Sequence, residues 1–489
     1  MTTEREALKV GFLEKAGLSG ARREPLAGDA STRSYERLHL PGGERRIFMD
    51  QPPVESSACP PDADAPTRRT LGYNAMARLA AGRVDAFVAV ADWLGSAGLS
   101  APRIEAFDAR LGLAVMEDLG DDLFGALIAA GAPERPFYDA AVDALAVMQS
   151  AALPDRLTAP GGVEWPVLTY DALALETAAD LLPDWLPSLR PGARVDASAR
   201  GDWRRIWAPV LARGEAGASV FCHRDYHVEN LIWLPGRDGA ARVGMVDFQD
   251  AVRAHPAWDV SMLLHDARRD VSRALSDAVL ERYLDLVRPS DPAGFLSDFH
   301  ALGALNICRI IGVFARLVVR DGRPKYEAFL PRMWGYLDRC LEDPGLADLR
   351  GWLSACVPAE AQKTDALEAH LARRTDLEIL FADERAALLD SGGGVRNALP
   401  LLGREPIFVA NIDSLWTGGS TPPLERMKAA WDPVRMDMLL LLTPRGQGIG
   451  FEGPRGFLMD AEGRLTHSAD DSRPAPYANI GFQILKPEV

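Results

Sequence analysis

Lysine is scarce in this sequence. The 489 residues include 54 basic side chains. Almost all of these are arginines, and the lysines are Lys9, Lys15, Lys325, Lys363, Lys428 and Lys486. Because no lysine stands between positions 15 and 325, a site formed by that interval must use arginine wherever it needs a fixed cation.

Cysteine is scarce too, and long apolar runs are missing. The cysteines are scattered without C-x-x-C spacing, which predicts free, mostly buried thiols rather than a zinc site or a disulfide framework: Cys59, Cys222, Cys308, Cys340 and Cys356. The N-terminus, MTTEREALKV, is charged and lacks a signal-peptide core. No apolar run approaches transmembrane length. We therefore expect a cytoplasmic protein without a membrane partner.

Basic charge is outweighed by acidic charge. The 69 acidic residues give a formal net charge of −15, so nothing in the charge balance indicates nucleic acid or an anionic membrane as a partner. Apolar residues make up 47% of the chain, enough for two or three domains with buried cores. Nothing in the composition indicates an oligomeric state.

Two short motifs carry the chemistry. The first is His223-Arg224-Asp225-Tyr226-His227-Val228-Glu229-Asn230, and the second is Met245-Val246-Asp247-Phe248-Gln249. Phosphoryl transfer needs a base that orients the attacking hydroxyl, and oxygen ligands for Mg²⁺ on the ATP phosphates. We predict that Asp225 is the base, and that Asn230 and Asp247 are the metal ligands. The alternative is that Asp225 and Asn230 only cap turns.

The segment between the motifs predicts a β-hairpin. Leu231–Leu234 is apolar, Pro235–Gly239 is rich in turn residues, and Arg242–Val246 returns as a second strand. Such a hairpin brings Asn230 and Asp247 to the same end of two paired strands. We expect His223 to brace the backbone, and Asp259 to hold the catalytic loop through hydrogen bonds.

The chain divides by pattern into four parts. We predict a small lobe over residues 1–118, a mainly helical lobe over 119–357, a polar linker over 358–365, and a segment of alternating helix and strand over 366–489. The small lobe is predicted to contain the helices Glu4–Ala16 and Val84–Ala97, an exposed loop over 51–68, and the strands Arg33–Leu40, Arg45–Met49, Arg103–Phe107 and Leu113–Met116.

The lobe order, the hinge-like Met116–Gly120 and the two motifs resemble the aminoglycoside phosphotransferase superfamily over about residues 20–345. The resemblance implies an α+β, bilobal protein-kinase-like fold with a β-rich N-lobe and a helical C-lobe. It also implies ATP and Mg²⁺ as cofactors. By the same resemblance, the nucleotide-binding candidates are Gly28, Ser31, Arg33, Glu117 and Leu119.

Three longer strings are similar to the N-acetylmuramate/N-acetylglucosamine 1-kinases of peptidoglycan recycling: Gly28–Ser31, Phe48–Pro53, and Arg309–Leu317 with Arg320–Gly322. This similarity implies phosphorylation of the anomeric hydroxyl of a small-molecule sugar. The sugar-binding candidates by position are His227, Glu229, Asp250 and Arg309. Two alternatives remain at this stage. One is a kinase for another hydroxyl compound (an aminoglycoside, choline or homoserine), and the other is a non-catalytic nucleotide-binding scaffold.

The sequence departs from the usual kinase pattern at the strand lysine that binds the ATP phosphates. That lysine is missing, and the helix near 84–97 offers Asp85 and Asp92 but no glutamate partner. We therefore predict that the phosphates are held by backbone N–H groups of Gly28–Ser31, by Arg33 or Arg46, and by Mg²⁺.

Residues 366–489 resemble part of a sugar-1-phosphate nucleotidyltransferase, closest to the N-acetylmuramate-1-phosphate uridylyltransferases. Leu389–Gly394 is similar to their base- and ribose-binding loop, and Asn411–Asp413 to their metal aspartate. Such enzymes begin with a strand and a Gly-x-Gly-x-Arg loop, whereas this segment begins at a predicted helix, Thr364–Arg373. The resemblance thus predicts a truncated α/β segment with a parallel sheet, inactive as a transferase and able at most to bind a uridine nucleotide weakly.

Overall fold

The computed structural model describes residues 2–26, 33–52, 59–358, 377, 379–380, 382, 390–411, 422–447, 456–468 and 475–487. The chain forms two compact units, Met1–Ala369 and His370–Val489. The finer division at 118 and 357 stays a prediction. Except for Pro358, the predicted linker lies outside the described residues.

The first unit begins with a five-stranded antiparallel sheet in the order β1-β2-β3-β5-β4. Its strands are β1 (Arg22–Pro25), β2 (Ser34–His39), β3 (Arg45–Asp50), β4 (Ile104–Asp108) and β5 (Leu113–Glu117). The predicted hairpin of β2 and β3 is confirmed, and Gly43 in its turn has φ +85°, a conformation that glycine adopts without strain. The short polar strand β1 was not predicted, because it lacks apolar alternation.

Two of the helices in this part of the chain pack on the sheet, namely α1 (Thr2–Lys15) and α4 (Val84–Ser96). The short helices α2 (Ala65–Leu71) and α3 (Tyr73–Met76) lie between them in the sequence. Phe12 and Leu13 of α1 pack in one core with Leu38, Phe48 and Leu113. Helix α4, predicted from its apolar periodicity, is buried with Met49 and Met116 in the main core.

The prediction of an exposed loop over 51–68 was wrong in its second half. Asp64 accepts a hydrogen bond from Thr67 N–H at 2.9 Å and caps helix α2, which starts at Ala65. Cys59 and Arg68 are buried. Residues 53–58 lie outside the described part of the chain.

A helical lobe follows the sheet, so the α+β bilobal arrangement is confirmed. Its helices are α5 (Phe124–Ala129), α6 (Arg135–Ser150), α7 (Ala172–Ala179), α8 (Leu181–Leu189), α9 (Ala197–Ala216), α10 (Ala257–Leu264), α11 (Arg273–Val287), α12 (Pro292–Val319), α13 (Leu330–Cys340) and α14 (Ala347–Cys356). Three antiparallel strand pairs interrupt them: β6 (Arg156–Ala159) with β7 (Val163–Pro166), β8 (Val220–Cys222) with β11 (Val252–Ala254), and β9 (Leu231–Trp233) with β10 (Val243–Met245).

Helix α12 is the central helix of this lobe. Over 28 residues it is long and apolar enough to cross a membrane, with a hydropathy of 1.8 in its most apolar window. The expectation that no run approaches that length was therefore too strong. That window is 67% buried inside the lobe, as expected for a core helix.

The second unit contains helices α15 (Asp390–Leu402) and α16 (Pro423–Ala430) and strands β12 (Ile407–Ala410), β13 (Met438–Pro444), β14 (Phe457–Met459), β15 (Leu465–His467) and β16 (Tyr477–Leu485). Gly392–Gly394 lie inside α15 rather than in the predicted loop, so that expectation was wrong. The strand pairs among the described residues are antiparallel, which corrects the predicted parallel sheet. Asp413 lies outside the described residues.

Candidate active site

A cleft of about 740 Å³ in the first unit is lined by residues of both the sheet and the helical lobe. Most of the predicted site residues line it: Arg33, Glu117, Leu119, Asp225, His227, Glu229, Asn230, Asp247 and Arg309. Gly28 and Ser31 lie outside the described residues. Tertiary folding thus brings together groups from five separate segments of the sequence.

The hairpin β9–β10 sets the distance between the two motifs. Val243 pairs with Trp233 and Met245 with Leu231. At the same end of the hairpin, the Val246 N–H donates to the Asn230 carbonyl at 3.1 Å. The predicted hairpin is confirmed, and it holds Asn230 and Asp247 on neighbouring strand ends.

Asp259 holds the catalytic loop, as predicted. Its carboxylate is fully buried and accepts hydrogen bonds from the backbone N–H groups of His223 at 2.7 Å and Arg224 at 2.9 Å. The Cys222 thiol lies 3.1 Å from the same group. Arg224 has φ 80°, which is uncommon outside glycine and costs about 1–3 kcal/mol. The hydrogen bonds to Asp259 stabilise this strained turn, and burial raises the pKa of Asp259.

His223 does not brace the backbone through its ring. The ring is fully buried, and neither nitrogen has a hydrogen-bond partner among the described residues. The ring instead lies edge-on to Tyr226 and Phe248, with centroids 5.6 and 6.4 Å away. His223 therefore acts as a packing residue between the two motifs.

Asp225 lies in the cleft with one third of its side chain exposed. Asn230 Nδ2 donates to the Asp225 backbone carbonyl at 2.9 Å. This bond directs the amide nitrogen of Asn230 toward the loop. The amide oxygen of Asn230, which is the atom able to bind a cation, therefore points away from that carbonyl. Arg309 Nη2 lies 3.7 Å from the Asp225 carboxylate, and its Nε donates to Asn306 Oδ1 at 2.8 Å.

Arg33 reaches the second motif across the cleft. It donates to the Asp247 carboxylate at 2.9 Å and to Gln249 Oε1 at 2.6 Å. Burial by itself would lower the pKa of the Arg33 guanidinium. The nearby Tyr35 and Asp247 have the opposite effect, and together the surroundings raise this pKa. Arg46, the other predicted arginine, binds Glu105 at 2.6 Å and Glu44 at 3.0 Å and does not line the cleft, so that alternative was wrong.

The backbone of the second motif is also constrained. Asp247 has φ 64°, and the following Phe248 ring is fully buried against Phe87 of α4, with centroids 4.7 Å apart. This contact links α4, through an aromatic pair, to the position of the Asp247 carboxylate.

The hinge-like segment also lines the cleft, together with apolar side chains that include Ile47, Met116, Ile232 and Val246. Glu117 accepts a hydrogen bond from Arg237 at 2.5 Å. The Asp118 carboxylate is nearly buried and accepts bonds from Arg37 at 2.8 Å and from the Gly120 N–H at 2.9 Å. An apolar slot next to fixed backbone suits a purine base.

The sugar-binding candidates differ in their surroundings. His227 is buried, and burial lowers its pKa to about 3, so the ring is neutral. Glu229 lines the cleft beside Gly125, where a Cβ would overlap its Oε1. Asp250 is not among the lining residues, and its carboxylate accepts a hydrogen bond from the Ala80 N–H at 2.7 Å. This contact anchors the segment before α4.

Tyr35 and Arg268 are among the cleft residues that sequence reasoning missed. Tyr35 lines the cleft beside Arg33, and Arg268 lines it beside His227, whose Nε2 lies 3.3 Å from the Arg268 Nη1. Arg268 follows α10 in a stretch with no recognisable motif. Its only sequence signal is a pair of arginines after His265-Asp266.

The donor set in the cleft fits a magnesium ion. Within the described residues there is no group of three or more His, Cys, Asp or Glu side chains able to hold a metal. Asn230 and Asp247 instead offer two hard oxygen donors beside the open cleft. Mg²⁺ keeps waters and takes phosphate oxygens of its nucleotide as further ligands, so one or two protein ligands suffice.

The family model for the phosphotransferase enzyme family matches residues 22–295. The chain belongs to this family. A curated N-acetylmuramate/N-acetylglucosamine kinase of Caulobacter vibrioides is 59% identical over 364 residues, which cover 74% of this chain and 99% of that protein. A kinase of the same name from Pseudomonas aeruginosa is 29% identical over 346 residues, 69% of this chain and 89% of that protein. Membership of a phosphotransferase family with kinase relatives implies the use of ATP.

The similarity of the tail is confirmed as well. An N-acetylmuramate alpha-1-phosphate uridylyltransferase of Caulobacter vibrioides is 40% identical over 129 residues, which cover 26% of this chain and 53% of that protein. Among solved structures, an aminoglycoside phosphotransferase of Streptomyces rimosus is 16% identical, covers 62% of this chain and 98% of its own, and superposes with a TM-score of 0.37.

Proposed function

We propose that this chain transfers the γ-phosphoryl group of ATP to the anomeric hydroxyl of N-acetylmuramate or N-acetylglucosamine. The observation that carries the proposal is the 59% identity to a kinase of that name across 99% of that protein. The anomeric position is supported by the tail, since its relative is named for a sugar alpha-1-phosphate, the compound that such a kinase would make from N-acetylmuramate.

In the proposed reaction, Asp225 accepts the proton of the O1 hydroxyl as its oxygen attacks the γ-phosphorus. The new O1–P bond forms while the bond from the γ-phosphorus to the bridging β-oxygen breaks, and ADP leaves. Asp225 is suited to this role because it lies in the cleft and is partly exposed, while its backbone is fixed through Asn230 and Arg224.

Asn230 and Asp247 would hold Mg²⁺, which when bound neutralises charge on the phosphates. Arg33 would bind the phosphates in place of the missing lysine. Its planar guanidinium has five N–H donors, enough to keep the Asp247 bond of 2.9 Å and still contact a phosphate oxygen. Glu117 and Leu119 would border the adenine, and the roles of Gly28 and Ser31 stay predictions.

The test is to incubate the full-length chain with Mg-ATP and a panel of acceptors, and to follow ADP release. The panel contains N-acetylmuramate, N-acetylglucosamine, an aminoglycoside, choline and homoserine. We expect rapid ADP release with the two amino sugars only. We also expect a product that lacks a reducing end and whose phosphorus couples to the anomeric proton in NMR spectra.

Other outcomes favour the other candidates. A phosphorylated sugar that keeps its reducing end would place the phosphate on another hydroxyl. Turnover confined to the aminoglycoside, choline or homoserine would replace the proposed substrate. Nucleotide binding without ADP release for any acceptor would favour the scaffold. The cytoplasmic location, and the lack of a nucleic-acid or membrane partner, stay predictions.

A further inference from the structure

Two of the arginines that line the cleft lie beside groups that the proposed reaction needs. Arg33 donates to the carboxylate of Asp247, the proposed metal ligand, at 2.9 Å. Arg309 lies beside Asp225, the proposed base, with its Nη2 3.7 Å from that carboxylate. Arg33 is therefore placed at the phosphates of the bound nucleotide, and Arg309 at the point where the acceptor oxygen attacks.

Arg309 is fixed by a neighbour on its own helix. Asn306 and Arg309 are three residues apart on α12, a spacing that puts them on one face of the helix. Asn306 is buried, its Oδ1 accepts a hydrogen bond from Arg309 Nε at 2.8 Å, and its Nδ2 lies 3.1 Å from Met262 Sδ. The side chain of Arg309 is only 16% exposed. A donor that is already held in position needs little reorganisation when the reaction occurs.

The two Nη groups of Arg309 face the cleft. Within the residues that the structure describes, the hydrogen bond of this side chain is the one from Nε to Asn306. The 3.7 Å between Nη2 and Asp225 is beyond hydrogen-bond distance. The loop of Asp225 is held instead through its backbone carbonyl, which accepts a hydrogen bond from Asn230. A role in holding the base therefore does not explain why Arg309 presents N–H donors there.

The position of the base identifies the group that these donors meet. A general base lies about 2.6–3.2 Å from the oxygen whose proton it accepts, and that oxygen attacks a phosphorus about 3–3.5 Å away. The anionic oxygens of the γ-phosphoryl group thus come close to Asp225 during the transfer. They approach as the group moves from ADP toward O1, so a cation beside Asp225 interacts more strongly with the transition state than with bound ATP.

We propose that Arg309 is a catalytic residue that donates to the non-bridging oxygens of the γ-phosphoryl group during its transfer, and that Asn306 is the positioning residue that directs it. This role rests on the proposed function, because it deepens the assignment of the same cleft. The O1–P bond forms and the bond to the β-oxygen breaks, while Arg309 keeps its protons and neutralises charge. Loss of one preorganised donor at such a transition state costs about 10²–10³ in kcat.

The kinetic test compares Arg309→Gln, Arg309→Lys and Asn306→Leu with wild type in the full-length chain. The acceptor is N-acetylglucosamine, which has no carboxylate of its own that could bind the arginine. For Arg309→Gln we expect kcat to fall about 10²- to 10³-fold while KM for Mg-ATP changes less than about threefold. Arg309→Lys should lie between, because an ammonium keeps the charge without the planar fork. Asn306→Leu should also lower kcat, and Asn306→Leu combined with Arg309→Gln should be no slower than Arg309→Gln alone, since both changes remove one interaction.

A binding measurement gives a readout that does not depend on turnover. Mg-ADP with aluminium fluoride and N-acetylglucosamine mimics the phosphoryl group during transfer. In titration calorimetry, Arg309→Gln should bind this analogue at least about tenfold more weakly than wild type, and Mg-ATP within about threefold of wild type. Arg316→Gln is the matched control. Arg316 lies on the same helix, packs over the Tyr73 ring at 5.1 Å and does not line the cleft, so this change should leave kcat and both affinities as they are.

Several results would overturn this role of Arg309. Equal losses of affinity for Mg-ATP and for the analogue would assign Arg309 to the bound nucleotide. A change confined to KM for the sugar would assign it to sugar binding, and an unchanged kcat would remove it from the reaction. Additive losses in the double variant would show that Asn306 does not act through Arg309. A wild-type chain that is inactive with both amino sugars would instead overturn the proposed function itself.

Discussion

Asp259→Asn is expected to leave the chain folded while it slows catalysis, because this one side chain holds two backbone N–H groups of the catalytic loop. The His223 N–H donates to Oδ2 at 2.7 Å and the Arg224 N–H to Oδ1 at 2.9 Å. Asparagine has nearly the same shape but a single acceptor oxygen. One of the two N–H groups must then face an NH₂ group.

The size of the effect follows from the hydrogen bonds to Asp259 and from the backbone strain that they offset. A hydrogen bond to a charged acceptor contributes about 1.5–3 kcal/mol, and an unsatisfied buried donor costs about 1–3 kcal/mol. Arg224, at φ 80°, stores about 1–3 kcal/mol of backbone strain that these bonds offset. With one bond lost, the strained turn is no longer favoured. Since 1.36 kcal/mol is a factor of ten in rate, we expect kcat to fall by about 10- to 100-fold.

The assay follows ADP release with N-acetylglucosamine at saturating ATP, alongside unfolding in urea. Leu349→Ala is the matched control, because Leu349 is fully buried on α14, away from the cleft-lining residues. It should cost about 2–5 kcal/mol of stability without lowering kcat. Asp259 does not position the loop if Asp259→Asn keeps the wild-type kcat. The same conclusion follows if the kcat of Leu349→Ala falls as far as that of Asp259→Asn.

Four further outcomes are expected. Asp225→Asn should keep nucleotide binding and lower turnover by about 10²–10⁴, the contribution of a general base; a small change would remove Asp225 from the mechanism. Asp247→Ala should abolish activity and weaken Mg-ATP binding more than metal-free ATP binding, as titration calorimetry would show; equal losses would count against a metal role. A chain ending near Glu360 should keep sugar phosphorylation, since the Caulobacter kinase relative matches over 99% of its own length; a folded but inactive product would make the tail part of the enzyme. Burial lowers the pKa of His265 to about 3, below the ordinary value of about 6.5. Unfolding therefore takes up a proton, and the free energy of unfolding should fall as the pH drops from about 6.5 toward 3. The urea midpoints of wild type and His265→Phe should diverge over that pH range, and parallel curves would contradict the assignment.

The parts of the site that are local in sequence were predictable. Turn residues between two apolar runs gave the β9–β10 hairpin, and hairpin geometry then brought Asn230 beside Asp247. Periodicity gave α4, whose apolar residues are buried in the main core. In these cases the residues that decide the structure lie within one or two turns of each other.

The contacts that depend on packing were not predictable. Arg33 and Asp247 are 214 residues apart, and no local pattern relates them. Asp250 was selected because it follows Asp247 closely, but its side chain binds Ala80 instead. His223 looked like a hydrogen-bonding residue, yet the fold surrounds its ring with Tyr226 and Phe248. Apart from Tyr226, which lies in the same motif as His223, each partner comes from a distant segment that only the tertiary fold places there.

The proposed use of Arg33 in place of a lysine would change more than the shape of the phosphate site. A buried lysine loses its proton readily, and its usefulness as a cation depends on a carboxylate partner. Here α4 offers no glutamate, and its Phe87 packs on Phe248 instead. An arginine needs no such partner to stay charged, and Tyr35 and Asp247 raise its pKa further despite burial. The missing lysine and the missing helix glutamate are therefore one change rather than two, because a cation that cannot lose its proton makes the glutamate unnecessary.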